Sequence, residues 1–136
     1  MKTHVLRTSI IALLVAAAGH AQSPRQLSAD IPFTFVAGRA TLNAGQYIVD
    51  QSNPGLIQIK SANGRPGAFL LTATGHCAGN QPASKLVFHR YGNTYLLSQI
   101  WTRGDNCGRQ TLVSGREREL AARYRAPDET IFLAMR

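Results

Sequence analysis

Residues 85–101 read KLVFHRYGNTYLLSQIW, which is two apolar-rich runs on either side of Gly92-Asn93. A two-residue connection between such runs is typical of a β-hairpin, and its length sets the register of the strands. The expected partners are Tyr91 with Thr94, Arg90 with Tyr95, His89 with Leu96, and Phe88 with Leu97. Both faces of this hairpin mix apolar and polar side chains, which predicts a central hairpin that is partly covered on both sides.

Uninterrupted alternation along the hairpin places Arg90, Tyr95 and Trp101 on one face. These residues predict a small aromatic and cationic patch suited to a sugar or an acidic group. The alternative is a cross-strand cation–π pair between Arg90 and Tyr95 that only stabilises the hairpin. His89 is expected to be a half-buried strand residue.

The rest of the chain contains short β-prone runs separated by turn residues. The predicted strands are Ile31–Val36, Gln46–Gln51, Leu56–Ser61, Ala68–Thr72 and 130–135, the last having a frayed helical tail as its alternative. Asn53-Pro54-Gly55 predicts a type II turn, and Asn63-Gly64 predicts a type I′ hairpin turn. Together with the central hairpin, these runs predict an all-β, mostly antiparallel domain, either a β-sandwich or a small barrel of about seven strands.

One helix is expected near residues 114–125. Ser114 and Glu117 have the spacing of a capping box, in which the serine side chain accepts a hydrogen bond from the glutamate amide. Leu120 and Tyr124 lie four residues apart, on one side of the helix, and Pro127 ends it. This helix is a candidate cover for one face of the hairpin.

The beginning of the chain has the pattern of a signal peptide. Lys2 and Arg7 precede a nine-residue apolar run from Ile10 to Ala18, and the small residues Gly19 and Ala21 follow. The run is much shorter than the roughly 20 residues that span a bilayer as a helix, so we expect cleavage after Ala21 rather than a retained anchor. This predicts an exported protein, periplasmic or secreted, with one domain at 22–136 and no transmembrane segment in the mature chain.

The mature chain contains two cysteines, Cys77 and Cys107. In an oxidising exported environment an even pair predicts one disulfide, here between two loops, 75–84 and 102–110, that are rich in glycine and polar residues. Closing a loop of about 30 residues is expected to stabilise the fold by roughly 3 kcal/mol.

The charge is strongly basic. The full chain has 15 basic and 7 acidic side chains and a formal charge of +8, and removal of Lys2 and Arg7 lowers this to +6. Arg116, Arg118, Arg123 and Arg125 cluster near the predicted helix, and such a cluster is suited to anionic lipid or polysaccharide. Arg116 and Arg123 are the candidate ligand contacts among them. The alternative is a solvated helix face on which the arginines pair with Glu117 and Glu119. Export and the lack of interleaved aromatic residues argue against nucleic acid as the partner.

Motifs for catalysis or cofactor binding are sparse. The sequence contains no GxSxG, HExxH, GxxxxGK[ST] or GxGxxG motif, and His76 and His89 are the only histidines after the predicted cleavage point. We therefore predict no catalytic residues, no metal site and no cofactor. His76, next to Cys77, is expected to be a loop residue beside the disulfide.

Three segments carry a resemblance to a family. They are Ala29-Asp30-Ile31-Pro32-Phe33-Thr34-Phe35 with Gly38, then 42–49 (LNAGQYIV), and 85–92 (KLVFHRYG). Together they resemble a group of small, exported, uncharacterised bacterial proteins that open on ADIPFxFxxGxxxLPAGxYxV, although Asn43 replaces the usual proline. The resemblance implies export and a strand-turn-strand opening, and it implies no activity.

These observations favour a non-enzymatic binding or structural module of the bacterial cell envelope. Two other functions remain open at this level: a small enzyme that acts on envelope polysaccharide, and a basic surface binder of anionic lipid or polysaccharide. An enzyme is expected to bring titratable groups together in a pocket, and the sequence offers few of them.

Overall fold

The computed structural model describes residues 25–53 and 55–136. The predicted signal peptide at 1–21 lies outside these residues, as does Pro54 of the predicted type II turn. The described part of the chain forms ten strands and one helix: β1 (Gln26–Ile31), β2 (Phe35–Ala37), β3 (Ala40–Leu42), β4 (Gly45–Asn53), β5 (Leu56–Ser61), β6 (Ala68–Cys77), β7 (Lys85–Tyr91), β8 (Thr94–Trp101), β9 (Cys107–Thr111), α1 (Gly115–Tyr124) and β10 (Glu129–Ala134).

The predicted all-β fold with one C-terminal helix is confirmed, but the strands are more numerous than the expected seven. The single strand predicted at Ile31–Val36 is wrong, because β1 ends at Ile31 and β2 begins at Phe35. Pro32, which has no amide hydrogen to donate to a ladder, lies in the break. Strand β9 lies in the stretch that the sequence predicted as a loop, and its backbone pairs with both β6 and β8.

The sheet curls until its two ends meet. The strands pair antiparallel in the order β1-β4-β5-β6-β9-β8, and β8 continues through β7 to β10. Ala29 of β1 then bridges Met135, just after β10. Next to this bridge, the Ser28 amide donates to the Arg136 carbonyl at 2.7 Å, and the Arg136 amide donates back at 2.9 Å. The result is an all-β, sandwich-like arrangement of mostly antiparallel strands, in which this bridge connects the first strand to the end of the chain. The β2–β3 hairpin is attached to it by a parallel pairing of β2 with β8.

The interior of this closed sheet is apolar. On β1, β4, β5 and β6 every second side chain points inward, as the burial alternation shows for Leu27, Ala29 and Ile31 in β1. Phe35 and Phe88 lie at the centre, with their rings edge to face at a centroid distance of 5.5 Å. Both are almost fully buried, so the core is built around aromatic side chains from β2 and β7.

The predicted register of the β7–β8 hairpin is confirmed from Tyr91–Thr94 to Phe88–Leu97. Beyond this point β8 contains a β-bulge: Ser98 is an extra residue, and Val87 pairs with Gln99. The bulge lies in the interior, where its carbonyl groups need partners. The Thr111 hydroxyl of β9 lies 3.0 Å from the Leu97 carbonyl and 3.1 Å from the Ser98 carbonyl, and its single proton is shared between them.

The helix covers the outer face of the central hairpin. The Ser114 side chain accepts from the Glu117 amide at 3.1 Å, which confirms the predicted N-cap. Leu120 and Ala121 pack on a small cluster of Val36, Tyr91 and Leu96. The prediction that a helix covers one face of the hairpin is therefore confirmed. After the helix, β10 pairs with β7, so the predicted strand at 130–135 is confirmed over its helical alternative.

The hairpin turn predicted at Asn63-Gly64 differs from expectation in detail. The pairing of Ile59 with Ala68 has the register that a turn at Asn63-Gly64 sets. Gly64 has a φ of +77°, but Asn63 is outside the left-handed region, so the turn is not type I′. The Gly64 amide instead donates to the Ser61 carbonyl at 3.3 Å.

The Thr111 hydroxyl provides a test of the bulge. We expect Thr111→Val to lower the free energy of unfolding by about 1–3 kcal/mol, because two buried carbonyl groups lose their donor. Thr111→Ser keeps the hydroxyl and is the matched control, with a smaller loss. Urea denaturation followed by circular dichroism measures both, and a loss in Thr111→Val no larger than the loss in Thr111→Ser would contradict a dominant role of the hydrogen bond.

His89 predicts a pH dependence of stability. It is half-buried between Leu96 and Thr130, as its predicted role requires, and burial lowers its pKa below the usual value of 6.5. His89 therefore binds a proton more readily in the unfolded chain than in the folded chain. The free energy of unfolding should fall as the pH drops from about 7.5 to about 5.5.

In His89→Gln this pH dependence should be weaker. Glu117 has the opposite effect, because burial raises its pKa, and the difference between wild type and variant isolates His89. Urea midpoints across the same pH range measure the effect. Parallel pH profiles for the two proteins would contradict the assignment.

Candidate functional site

A groove on the outer surface combines exposed apolar side chains with arginines. Its apolar side chains come from β6 and from the segment between β9 and α1, and they are Phe69, Leu71, Leu112 and Val113, which are 65%, 63%, 56% and 52% exposed. Its cationic side chains are Arg39, Arg116 and Arg118. We call this site the arginine-rimmed groove. Its volume is about 660 Å³, inside the range of about 300–1,000 Å³ that is typical of small-molecule sites.

The apolar wall of the groove follows from the alternation of β6. Leu70 points inward and is 2% exposed, so its neighbours Phe69 and Leu71 point outward. Beyond β9, the Leu112 amide donates to the Leu71 carbonyl at 3.2 Å. This bond holds the segment that carries Leu112 and Val113 beside β6. Clustered exposure of large apolar side chains is typical of a binding surface.

The arginines enter the groove from two directions. Arg39 lies between β2 and β3, and Arg116 and Arg118 lie in the first turn of α1. None of the residues that line the groove is acidic. Within the described part of the chain, the ion pairs are Lys60–Asp50 and Arg90–Glu129, so the alternative in which the helix arginines pair with Glu117 and Glu119 is not found. The amino end of α1 adds positive partial charge.

Glu117 is turned toward the sheet rather than toward the groove. It is three and four residues before Leu120 and Ala121, which pack on the sheet, so it shares their side of the helix. Burial raises the pKa of Glu117. The pKa of Tyr91 in β7 is raised by burial and further by the charge of Glu117. The Glu117 carboxylate therefore acts on Tyr91 of the sheet, and the lining of the groove contains no acidic side chain.

A second concave site lies where β4, β6 and the β8–β9 loop meet. It has a volume of about 530 Å³, and we call it the mouth pocket. Its polar lining includes Gln51, Thr102 and Asp105. The Thr102 hydroxyl donates to Gln51 Oε1 at 2.9 Å, while the buried Gln51 Nε2 has no hydrogen-bond partner among the described residues. Asp105 is the single carboxylate of the lining, and no histidine belongs to it.

The predicted disulfide between Cys77 and Cys107 is confirmed. The two cysteines pair at the carboxyl end of β6 and the amino end of β9, so the bond joins two strand ends rather than two loops. Cys107 also lines the mouth pocket. His76 is exposed beside the disulfide, although it belongs to β6 rather than to a loop.

The patch predicted from Arg90, Tyr95 and Trp101 is not formed. Arg90 and Tyr95 are paired as expected, but the Arg90 Nε lies 3.2 Å from Glu129 Oε2, in an ion pair without hydrogen-bond geometry. The Tyr95 ring is stacked on Phe33 at a centroid distance of 4.1 Å.

The prediction that Trp101 shares the face of Arg90 is wrong, because the extra residue Ser98 reverses the alternation of β8. Trp101 pairs with Lys85 instead, and the Lys85 ammonium lies 5.7 Å from the centre of its ring. The indole N–H donates to Gln99 Oε1 at 2.9 Å, and the Trp101 side chain is 5% exposed. Neither its ring nor its N–H is available to a ligand.

Of the two helix arginines named as ligand candidates, the structure brings Arg116 to the groove and leaves Arg123 outside its lining. Sequence reasoning missed the other groove residues, namely Arg39, Phe69, Leu71, Leu112, Val113 and Arg118 as a ligand contact. A signal was present: residues 68–71 read AFLL, which is apolar on both faces of a strand. An apolar outer face predicts either a covering layer or a binding surface.

No group of three or more potential metal ligands comes together in residues 25–53 and 55–136. In the same residues, no helix has the length and apolar character to cross a membrane. Comparisons of the chain with protein-family models, with curated proteins and with solved structures gave no match. The groove and the mouth pocket are therefore interpreted from their own chemistry.

Proposed function

We propose that the protein is an exported, non-enzymatic binding module of the bacterial cell envelope, and that it engages an anionic component through the arginine-rimmed groove. The observation that carries this proposal is the position of Arg39, Arg116 and Arg118 around a concave apolar surface without an acidic side chain in its lining. Such a surface attracts negative charge and gains further from covering its apolar groups. Export is supported by the amino-terminal pattern and fits the disulfide.

The groove refines the basic-surface hypothesis. Of the four arginines near the helix, Arg116 and Arg118 lie in the groove lining, and Arg123 and Arg125 do not. The proposal therefore attributes binding to the amino end of α1 and to the β2–β3 turn, and not to the net charge of the helix.

The enzyme alternative has less support. Catalysis on a polysaccharide commonly requires two carboxylates across the sugar, or a base and an acid that share a cleft. Among the described residues, the mouth pocket contributes Asp105 alone, and the groove contributes no titratable acid or histidine.

Vesicle binding tests the proposal. We expect the mature protein to bind vesicles of phosphatidylglycerol and phosphatidylcholine better than vesicles of phosphatidylcholine alone, and to bind less tightly as salt is raised. Arg116→Ala with Arg118→Ala should weaken binding to the anionic vesicles by about tenfold or more, since each arginine near such a surface contributes about 1 kcal/mol. Co-sedimentation with the vesicles measures the effect.

The matched control removes the same charge from the other end of the helix. Arg123→Ala with Arg125→Ala should have a much smaller effect, because neither residue lines the groove. Equal losses in the two double variants would attribute binding to net charge and would contradict the proposed site.

A further inference from the structure

We infer that the arginine-rimmed groove accepts the acyl chain of a single-chain anionic lipid, such as a fatty acid, with the acidic head group against the arginines. This inference rests on the proposed function, because it names the ligand of the same site. An anionic polysaccharide and a bilayer surface share the attraction to the arginines, and the inference adds a contact between the apolar wall and one acyl chain.

The first step is the chemistry of the wall. Leu71, Leu112 and Val113 are aliphatic, and Phe69 is the single aromatic side chain in the groove lining. A sugar ring is bound by stacking on aromatic faces and by polar side chains that pair with its hydroxyl groups. The wall offers little of either, whereas a hydrocarbon chain needs only apolar surface that it removes from water.

The second step is the shape of the site. Val36 and Leu70 close the base of the groove and are almost fully buried, so the apolar surface that a ligand can cover is the wall. Gly38 has a φ of +62°, and a Cβ added to it would lie 3.0 Å from Leu70 Cδ2. The glycine lets the β2–β3 turn pack closely on Leu70 and closes this end of the base. The groove is concave, with a volume of about 660 Å³, so a single extended chain can lie along its wall, whereas a flat bilayer surface meets its rim.

The third step is the separation of charge from the apolar wall. Arg116 and Arg118 follow Ser114 at the amino end of α1, directly after Leu112 and Val113. A ligand with an apolar tail along the wall and an anionic head beside the helix satisfies both parts of the groove at once. Guanidinium groups pair well with carboxylate and phosphate oxygens. The order of these residues along the chain thus matches the two parts of one amphiphile.

Two probes separate this inference from the proposed function. Sodium laurate, used below its micelle concentration, carries both a chain and a carboxylate, and dextran sulfate carries negative charge without a chain. Isothermal titration calorimetry measures the binding of each to the mature, disulfide-bonded protein. Both should bind to the wild type, and Arg116→Ala with Arg118→Ala should weaken both.

The decisive variant is Phe69→Thr with Leu71→Thr, which keeps two strand-forming residues at exposed positions of β6. It should weaken laurate binding by at least about tenfold, because it removes most of the wall that covers the chain, and leave dextran sulfate binding unchanged. Phe132→Thr is the matched control, since Phe132 is 60% exposed on β10 and lies outside the groove lining. It should bind laurate as the wild type does.

The possible negative results contradict either the acyl-chain inference or the proposed function. Absence of laurate binding to the wild type, or equal laurate binding to the β6 variant, overturns the acyl-chain inference while the proposed function stands on dextran sulfate and vesicles. Insensitivity of all three probes to the Arg116 and Arg118 changes overturns the proposed function itself. Analytical ultracentrifugation gives a further outcome. If the wild type is a dimer that does not bind laurate and the β6 variant is a monomer, a second copy covers the groove and the inference is overturned.

Discussion

Much of this structure depends on the β-bulge in β8 and on the hydrogen bond that Thr111 donates to it. The extra residue Ser98 turns Ile100 into the core beside Leu86 and turns Trp101 out of it. Its carbonyl groups are buried, and an unpaired carbonyl in the interior would cost about 1–3 kcal/mol. Thr111 removes that cost from the neighbouring strand. The same threonine lines the arginine-rimmed groove and directly precedes Leu112 and Val113. A packing requirement inside the sheet therefore sets the position of the surface site.

Closure of the sheet explains why the binding surface lies outside it. With β1 joined to the residues after β10, the sheet has no free edge there, and its interior is filled by apolar side chains from β1 to β8 and from β10. Large apolar side chains that remain on β6 then have water or a ligand as their neighbours. The helix covers one region of the outer surface, over Tyr91 and Leu96, and stops short of Phe69 and Leu71. The groove is the space left between this helix, the β2–β3 turn and the outer face of β6.

The effect of the net charge depends on where the arginines lie in the folded protein. A formal charge of +8 favours contact with anionic surfaces in general. In the folded protein the arginines have separate roles: Arg90 pairs with Glu129, Arg109 donates to the Thr72 and Thr74 side chains, and Arg116 lies at the groove. Half of the basic character near the helix thus belongs to the candidate site, and the rest is distributed over the surface.

By itself the sequence determined the features that depend on neighbours along the chain. The register from Tyr91 to Phe88 follows from a two-residue turn, the start of α1 from the Ser114 side chain, and the disulfide from an even pair of cysteines. Only the tertiary structure decided where Trp101 points, which strands close the sheet and which side chains form the groove. The reason is physical: the bulge is stabilised by Thr111 from another strand, and the groove joins Arg39, Phe69 and Arg116 from three elements. Those neighbours are created by strand pairing across long chain separations, and no local period in the sequence records them.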